Sequence, residues 1–351
     1  MVASRPAAGP ARCAGLRRTL LHGCEQGFPL QDSPFQVLAR QTGGTLRELL
    51  GHCHTLADTG ALDVIRVHWG AALQRVRWRC AVAPAAARLG ELQQALGRLP
   101  GVTAWEFAEP AAPATPPARD GDPFAGPALW FEIVARSAVS ARAQRARIEA
   151  LADDLLCLAL AGRDAIDEPG CRCDAHAGPC GDPELARRCE AGLPLVAHPY
   201  RGLSEAVQRS EREVLARLRG WKRQGQLTAV SLCAPVAGAE SLWSQCALAG
   251  EENDAAAAAL RERLLAQTGI AEVTLLPGHA RWPYRFLVGV PGAPIPGDAL
   301  LARALAACGL VSRRRRLLHV RRVGVRAAPL LFADPGDAGV AAHTEARSAA
   351  G

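Results

Sequence analysis

The residues best suited to chemistry in this chain lie in one run, HARWPYR, from His279 to Arg285. It combines an imidazole able to exchange a proton near neutral pH, two guanidinium forks that grip anionic groups at two points, and the aromatic surfaces of Trp282 and Tyr284. Together they suit a small polycarboxylate. The competing reading is structural: a polar hairpin loop whose Trp282 packs against a neighbour. Arg66 and His68, in VIRVHWG, offer the same two functions on a smaller scale, and their competing reading is an exposed strand end.

Arg313 to Arg316, with Arg321 and Arg322, make a basic final strand. Alternating strand geometry sends half of such a run to each face, so Arg313 and Arg315 are expected to grip anions together; a charged edge that discourages aggregation is the alternative. His198, just before Pro199, is a turn residue that either meets ligand or only touches the adjacent helix. Cys171, Cys173, His176, Cys180 and Cys189 have the spacing C-x-C-x2-H-x3-C with a further cysteine beyond, which lacks the paired C-x2-C knuckles of a structural zinc site. No metal is expected there.

The elements that must position these residues follow from an internal repeat. Sliding the chain by 165 residues lays Leu20 to Ile65 on Leu185 to Val230 without a gap, and thirteen of the 46 positions are identical. Each copy contains a short helix ending at Gly27 or Gly192, a proline-bounded turn, and a helix starting near Pro34 or Pro199. A last helix follows, capped by Thr45 with Glu48, or by Ser210 with Glu213, as a capping box, and Gly60 or Gly225 closes it. That grammar predicts a helix-turn-helix. After each copy the apolar periodicity predicts strands and helices in the order βαββαβ, the ferredoxin-like unit.

The expected fold class is therefore α+β: a tandem repeat of a helix-turn-helix and a ferredoxin-like domain. The expected boundaries are a disordered 1–15, helix-turn-helix 16–68, sheet domain 69–160, linker 161–183, helix-turn-helix 184–230, sheet domain 231–326 and a disordered tail 327–351. The Pro/Ala-rich run between Glu109 and Ala128 reads as an insertion in a hairpin.

Composition bounds the function. The 351 residues are 49% apolar and 21% charged, with a formal net charge of +7. Of the 41 basic residues only Lys222 is a lysine, so the basicity reflects a coding bias toward arginine rather than a nucleic-acid signal. No run approaches the ~20 apolar residues of a membrane helix and the start lacks a signal-peptide core. The expectation is a cytoplasmic protein whose twelve cysteines are thiols.

The phrases QGFPLQDSPF and AGLPLVAHPY, with GHARWPYRFLV and PALWFEIV, resemble motifs of the siroheme decarboxylase family, an Lrp/AsnC-like group of the heme d1 type, here in a fused two-copy form. The resemblance covers about residues 16–326. It implies a carboxy-lyase that removes two acetate carboxyls from siroheme to give didecarboxysiroheme, with siroheme as substrate and no added cofactor. It implies His279, Tyr284 and His68 as catalytic, and Arg66, Arg281, Trp282, Arg285, Arg313, Arg315 and His198 as substrate-binding. Homologous decarboxylase subunits are the implied partners, with no DNA and no membrane. Family members carry Arg and His after each helix-turn-helix; the second copy here reads AVSLCAPVAG, with neither. The other readings of this architecture are a DNA-binding regulator and a non-catalytic partner subunit.

Overall fold

The computed structural model describes residues 27–59, 62, 64–83, 85–111, 126–152, 154–160, 179–232, 242–250, 253–292, 294–311, 313–325 and 329–332. In chain order the elements are α1 (Pro34–Gln41), α2 (Leu46–Asp58), β1 (Ile65–Trp69), β2 (Val76–Val82), α3 (Leu89–Arg98), β3 (Val102–Pro110), β4 (Ala128–Ala135), α4 (Ala138–Glu149) and β5 (Leu156–Ala159). They continue with α5 (Pro183–Glu190), α6 (Pro199–Ala206), α7 (Glu211–Arg223), β6 (Leu227–Leu232), β7 (Leu242–Ala249), α8 (Asp254–Leu265), β8 (Glu272–Leu275), β9 (Tyr284–Pro291), α9 (Pro294–Ala307) and β10 (Arg315–Val325). Among the described residues no helix is long and apolar enough to cross a membrane.

The chain forms two compact units. One takes Met1–Gln74, Asp167–Ala237 and Leu330–Asp334; the other takes Arg75–Ile166, Gly238–Pro329 and Pro335–Gly351. In the first, α1 and α6 both open on proline, whose fixed φ suits a first helical turn. Both expected capping boxes form: Thr45 and Ser210 each accept from the amide three residues on, and Glu48 and Glu213 return the bond. Gly225, at φ +70°, turns the chain out of α7. The matching Gly60, and the first copy's opening helix, lie outside the described residues.

Contacts in this unit recur at the 165-residue spacing. His54 Nε2 lies 2.9 Å from the Leu195 carbonyl, and Arg219 donates to the Leu30 carbonyl at 2.7 and 2.9 Å. The Phe28 amide bonds the Val230 carbonyl at 2.5 Å, as the Leu193 amide bonds that of Ile65 at 2.8 Å. β1 and β6 pair antiparallel, with Arg66 opposite Ser231. Beyond it a Cβ on Gly70 would stand 1.9 Å from the Gly225 carbonyl oxygen, so only glycine permits that approach.

The second unit holds an eight-stranded sheet in the order β5-β2-β4-β3-β10-β7-β9-β8, antiparallel throughout. Each run of four strands carries two helices on one face. Leu92, Leu96 and Ile148 of α3 and α4 pack on Cys80, Leu129, Phe131 and Ile133. Leu260, Leu264, Leu301 and Leu305 of α8 and α9 pack on Cys246, Phe286 and Val288. On the other face, residues from the two ends of the sheet share one cluster: Ala81, Trp130, Leu156 and Leu158 with Leu276, Trp282, Tyr284 and Leu287. The sheet is folded so that its two halves meet across these inner faces.

The end of the chain corrects one expectation. Leu331 and Phe332 fall in the expected disordered tail, yet both are buried, at 7% and 5% exposure. Their amides donate to the buried Glu190 carboxylate at 2.6 and 2.8 Å, and Phe332 packs on Trp69 with ring centres 5.2 Å apart. Two apolar side chains and an acceptor deep in the unit hold a segment that composition alone marks as loose.

Candidate functional site

In the first unit, strand alternation sorts β1 cleanly. Ile65, Val67 and Trp69 are buried, and Arg66 and His68 project together from the half-buried face. His68 Nε2 shares a hydrogen bond of 2.6 Å with Ser231 Oγ on β6. Burial, and then the positive charge of Arg66, push the His68 pKa below its ordinary 6.5. The imidazole is thus held neutral at neutral pH beside a guanidinium. An arriving carboxylate would pair with Arg66 and draw a proton onto His68, creating a proton donor where an anion has bound. Behind the strand, the Trp69 indole N–H donates to Glu190 at 2.6 Å, which fixes the end of β1 next to His68.

In the second unit, the inner faces of the sheet carry a buried aromatic and guanidinium cluster. Trp282 meets Trp130 and Tyr284 edge to face, with centroids 4.7 and 4.9 Å apart. The guanidinium of Arg316 lies 5.7 Å from the Trp282 ring centre and 5.6 Å from that of Tyr284; Arg314 lies 5.8 Å from Tyr284, and Arg79 5.8 Å from Trp130. Arg79 pairs with the buried Glu106 at 2.5 Å. Burial works against the Arg79 charge, but Glu106, helped by Glu132 and Glu272, more than offsets it and holds the pKa above its ordinary value. Trp282, Tyr284 and Arg316 are 1–2% exposed.

The other expected site residues of this unit lie apart from that cluster. His279 and Arg281 are exposed on the approach to β9: His279 Nδ1 accepts the Arg281 amide at 3.2 Å, and the Arg281 guanidinium meets Asp154 at 3.3 Å. Arg285 bonds Asp254 at the start of α8. Arg313 reaches the Ala249 carbonyl at 3.4 Å, and Arg315 is exposed. Of the final strand, therefore, Arg314 and Arg316 face the aromatic cluster. In the first unit, His198 is exposed at the rim of a shallow cleft of about 590 Å³ lined by Leu30, Asp32, Ser33, Gln36, Arg40 and Arg219; its Nδ1 is 2.9 Å from the Asp32 carbonyl.

A family model described as the siroheme decarboxylase NirDL-like HTH domain matches residues 182–227, the second helix-turn-helix. The siroheme decarboxylase NirDL subunit of Paracoccus denitrificans (strain Pd 1222) is 27% identical over 287 residues, covering 75% of this chain and 81% of that one. The chain is thus similar to siroheme decarboxylases in its second helix-turn-helix and along three quarters of its length. Two solved structures share its fold. The crystal structure of NirDL in co-complex with an iron-uroporphyrin III analogue aligns with a TM-score of 0.62 at 16% identity, covering 97% of this chain and 100% of that one. The crystal structure of NirDL alone gives 0.63 at 17% identity, covering 96% and 99%.

Two groups, one in each unit, escape simple sequence reading. Ser231 stands 165 residues beyond Arg66, so the repeat spacing itself was the signal for it. Arg79 and Trp130 face each other across separate strands, which periodicity alone does not bring together. The helices that a DNA-binding regulator would lay in a groove are partly occupied here. On α7, Arg219 is anchored to the Leu30 carbonyl and Arg217 lies 4.0 Å from Asp182. Among the described residues no cluster could hold a metal ion. Cys189 is buried, which drives its thiol pKa upward; Cys171, Cys173 and His176 lie outside the described residues.

Proposed function

We propose that this chain is a siroheme decarboxylase, or a subunit of one, that removes the two acetate carboxyls of siroheme to give didecarboxysiroheme for heme d1 biosynthesis. The observation that carries the reading is the pairing of Arg66 with a half-buried His68 whose pKa is lowered. An acetate carboxylate binds Arg66 and raises the proton affinity of His68. The bond from the methylene carbon to the carboxyl carbon breaks and CO₂ leaves; the electron pair stays on the methylene carbon, delocalised into the macrocycle. His68 delivers one proton there, leaving a methyl group, and is reprotonated from solvent. Each removal consumes one proton and needs no oxidant and no added cofactor. Desolvation in a half-buried site raises the energy of the bound carboxylate relative to the charge-dispersed transition state.

The repeated spacing of contacts in the first unit supports reading the chain as a fused duplication. The order β5-β2-β4-β3, matched by β10-β7-β9-β8, supports two ferredoxin-like halves. Since Ser231 stands opposite Arg66, one copy supplies the cation. That asymmetry also favours a second reading, in which the chain works in the cytoplasm with a homologous subunit that completes the site.

Anaerobic incubation of the purified chain with siroheme, alone and with a homologous subunit, tests both readings by mass analysis of the tetrapyrrole. Loss of CO₂ by the chain alone supports the enzyme; loss only with the partner supports the subunit. His68→Gln is expected to lower turnover by about 10²-fold or more, and Arg66→Ala to raise KM more than it lowers kcat. His279→Gln and Tyr284→Phe, the other candidate donors, are expected to lose less. Wild-type turnover by both the His68 and Arg66 variants overturns the mechanism, and failure of siroheme to bind overturns the function.

A further inference from the structure

The decarboxylation chemistry uses no cysteine, yet the second unit sets two of them face to face. Cys80 of β2 and Cys157 of β5 are direct partners in the antiparallel register, and their sulfurs lie 3.3 Å apart. Directly opposed residues of such a pair have Cα atoms about 4.5–5.5 Å apart, inside the range of about 4.4–6.8 Å that a disulfide accepts. We propose that Cys80 and Cys157 are a redox modification site, a vicinal dithiol that low-molecular-weight disulfides convert to an intramolecular cross-strand disulfide.

The two thiols have different surroundings, which assigns their roles. Cys157 is partly buried on an edge strand, whereas Cys80 is fully buried beneath the helices. The Cys80 thiol donates a hydrogen bond to Cys157 and the Arg145 guanidinium lies nearby; together they lower the Cys157 pKa, while burial raises that of Cys80. Cys157 is thus the attacking thiolate and Cys80 the resolving thiol. The Cys157 sulfur attacks one sulfur of the reagent, its S–S bond breaks, and one thiolate departs and takes up a proton. Cys80 then gives up its proton and attacks the mixed disulfide at Cys157, releasing the second reagent thiol. Two protein thiols are oxidised and one disulfide is reduced to two thiols. Two of the other described thiols are poorly suited to compete: burial pushes Cys246 up to about 12 and Cys189 upward as well.

The bond would tie β5, a four-residue edge strand, to β2, its single neighbour in the sheet. The experiment uses the full reduced chain, exposed to glutathione disulfide over a range of ratios to glutathione, alkylated, digested with trypsin and mapped by mass. The expected result is a linked pair of peptides, 80–88 and 148–163, each with one cysteine, appearing at ratios where Cys189 and Cys246 remain alkylatable. Cys80→Ala is expected to stop at a stable glutathione adduct on Cys157, and Cys157→Ser to leave Cys80 a thiol. Should the wild type leave the two peptides unlinked, or keep a lasting glutathione adduct at Cys157, the proposal fails; because the wild-type map decides, a variant that does not fold cannot rescue it.

Discussion

Replacing Glu190 with glutamine is expected to undock Leu331 and Phe332 while leaving the rest of the first unit folded. Among the described residues the carboxylate accepts from Trp69 Nε1 and the Leu331 amide on one oxygen, and from the Phe332 amide on the other. In Glu190→Gln the amide nitrogen that replaces the second oxygen sets donor against donor at Phe332. Burying two large apolar side chains contributes roughly 3–6 kcal/mol. Ordering residues 329–332 costs about 1.5 kcal/mol each, or about 6 kcal/mol for the four. Those terms nearly cancel, so the bonds to the carboxylate, about 1.5–3 kcal/mol each, decide whether the segment docks. Hydrogen exchange of the Leu331 and Phe332 amides, with Trp69 fluorescence, reads the outcome. Retention of wild-type protection at those two amides in Glu190→Gln would refute the reasoning, because it would mean that apolar burial alone holds the segment.

Arg79→Met removes the guanidinium paired with the buried Glu106 and should cost about 3–5 kcal/mol in urea unfolding; a loss under 1 kcal/mol would mean that other groups hold Glu106 without it. Thr45→Ala and Ser210→Ala each remove a capping box and should cost about 1 kcal/mol, additively because the caps share no partner. His68 titrates below 6.5 when folded, so the unfolded chain takes up the proton first as pH falls. Its contribution to stability is in place above pH 6.5 and is lost below it. The wild-type urea midpoint should therefore fall relative to His68→Gln as pH drops beneath 6.5, and an opposite or flat difference would contradict the burial of His68.

The helical parts of this fold are legible because their signals are local. A capping box occupies four consecutive positions, and Pro34 and Pro199 declare their helices by fixed φ. The order βαββαβ is legible for the same reason. What periodicity does not carry is which strands meet. The pairing of β10 with β3, which makes eight strands continuous, joins residues more than 200 positions apart, and no local property of either strand selects the other. Site residues divide along the same line. Arg66 and His68 are neighbours on one strand and their partnership follows from alternation, whereas Glu190 and Phe332 are joined only by the packed unit. On the final strand, composition shows the arginines but not the phase of the pleat, and it is that phase which turns Arg314 and Arg316 toward Tyr284.

The placement of Arg66 opposite Ser231 has a consequence for stoichiometry. These two positions, related by the 165-residue spacing, face each other in the β1–β6 ladder. Were both occupied by arginine, two guanidinium groups would project from adjacent strands at one level, where like charges repel, and each would compete for the same anion. A hydroxyl on one side removes that conflict and gives the ladder a handed polarity, cation on one strand and neutral donor on the other. If the proposed function holds, titration with siroheme is expected to saturate at one ligand per chain, seated in one of its two orientations, and a stoichiometry of two would contradict this asymmetry.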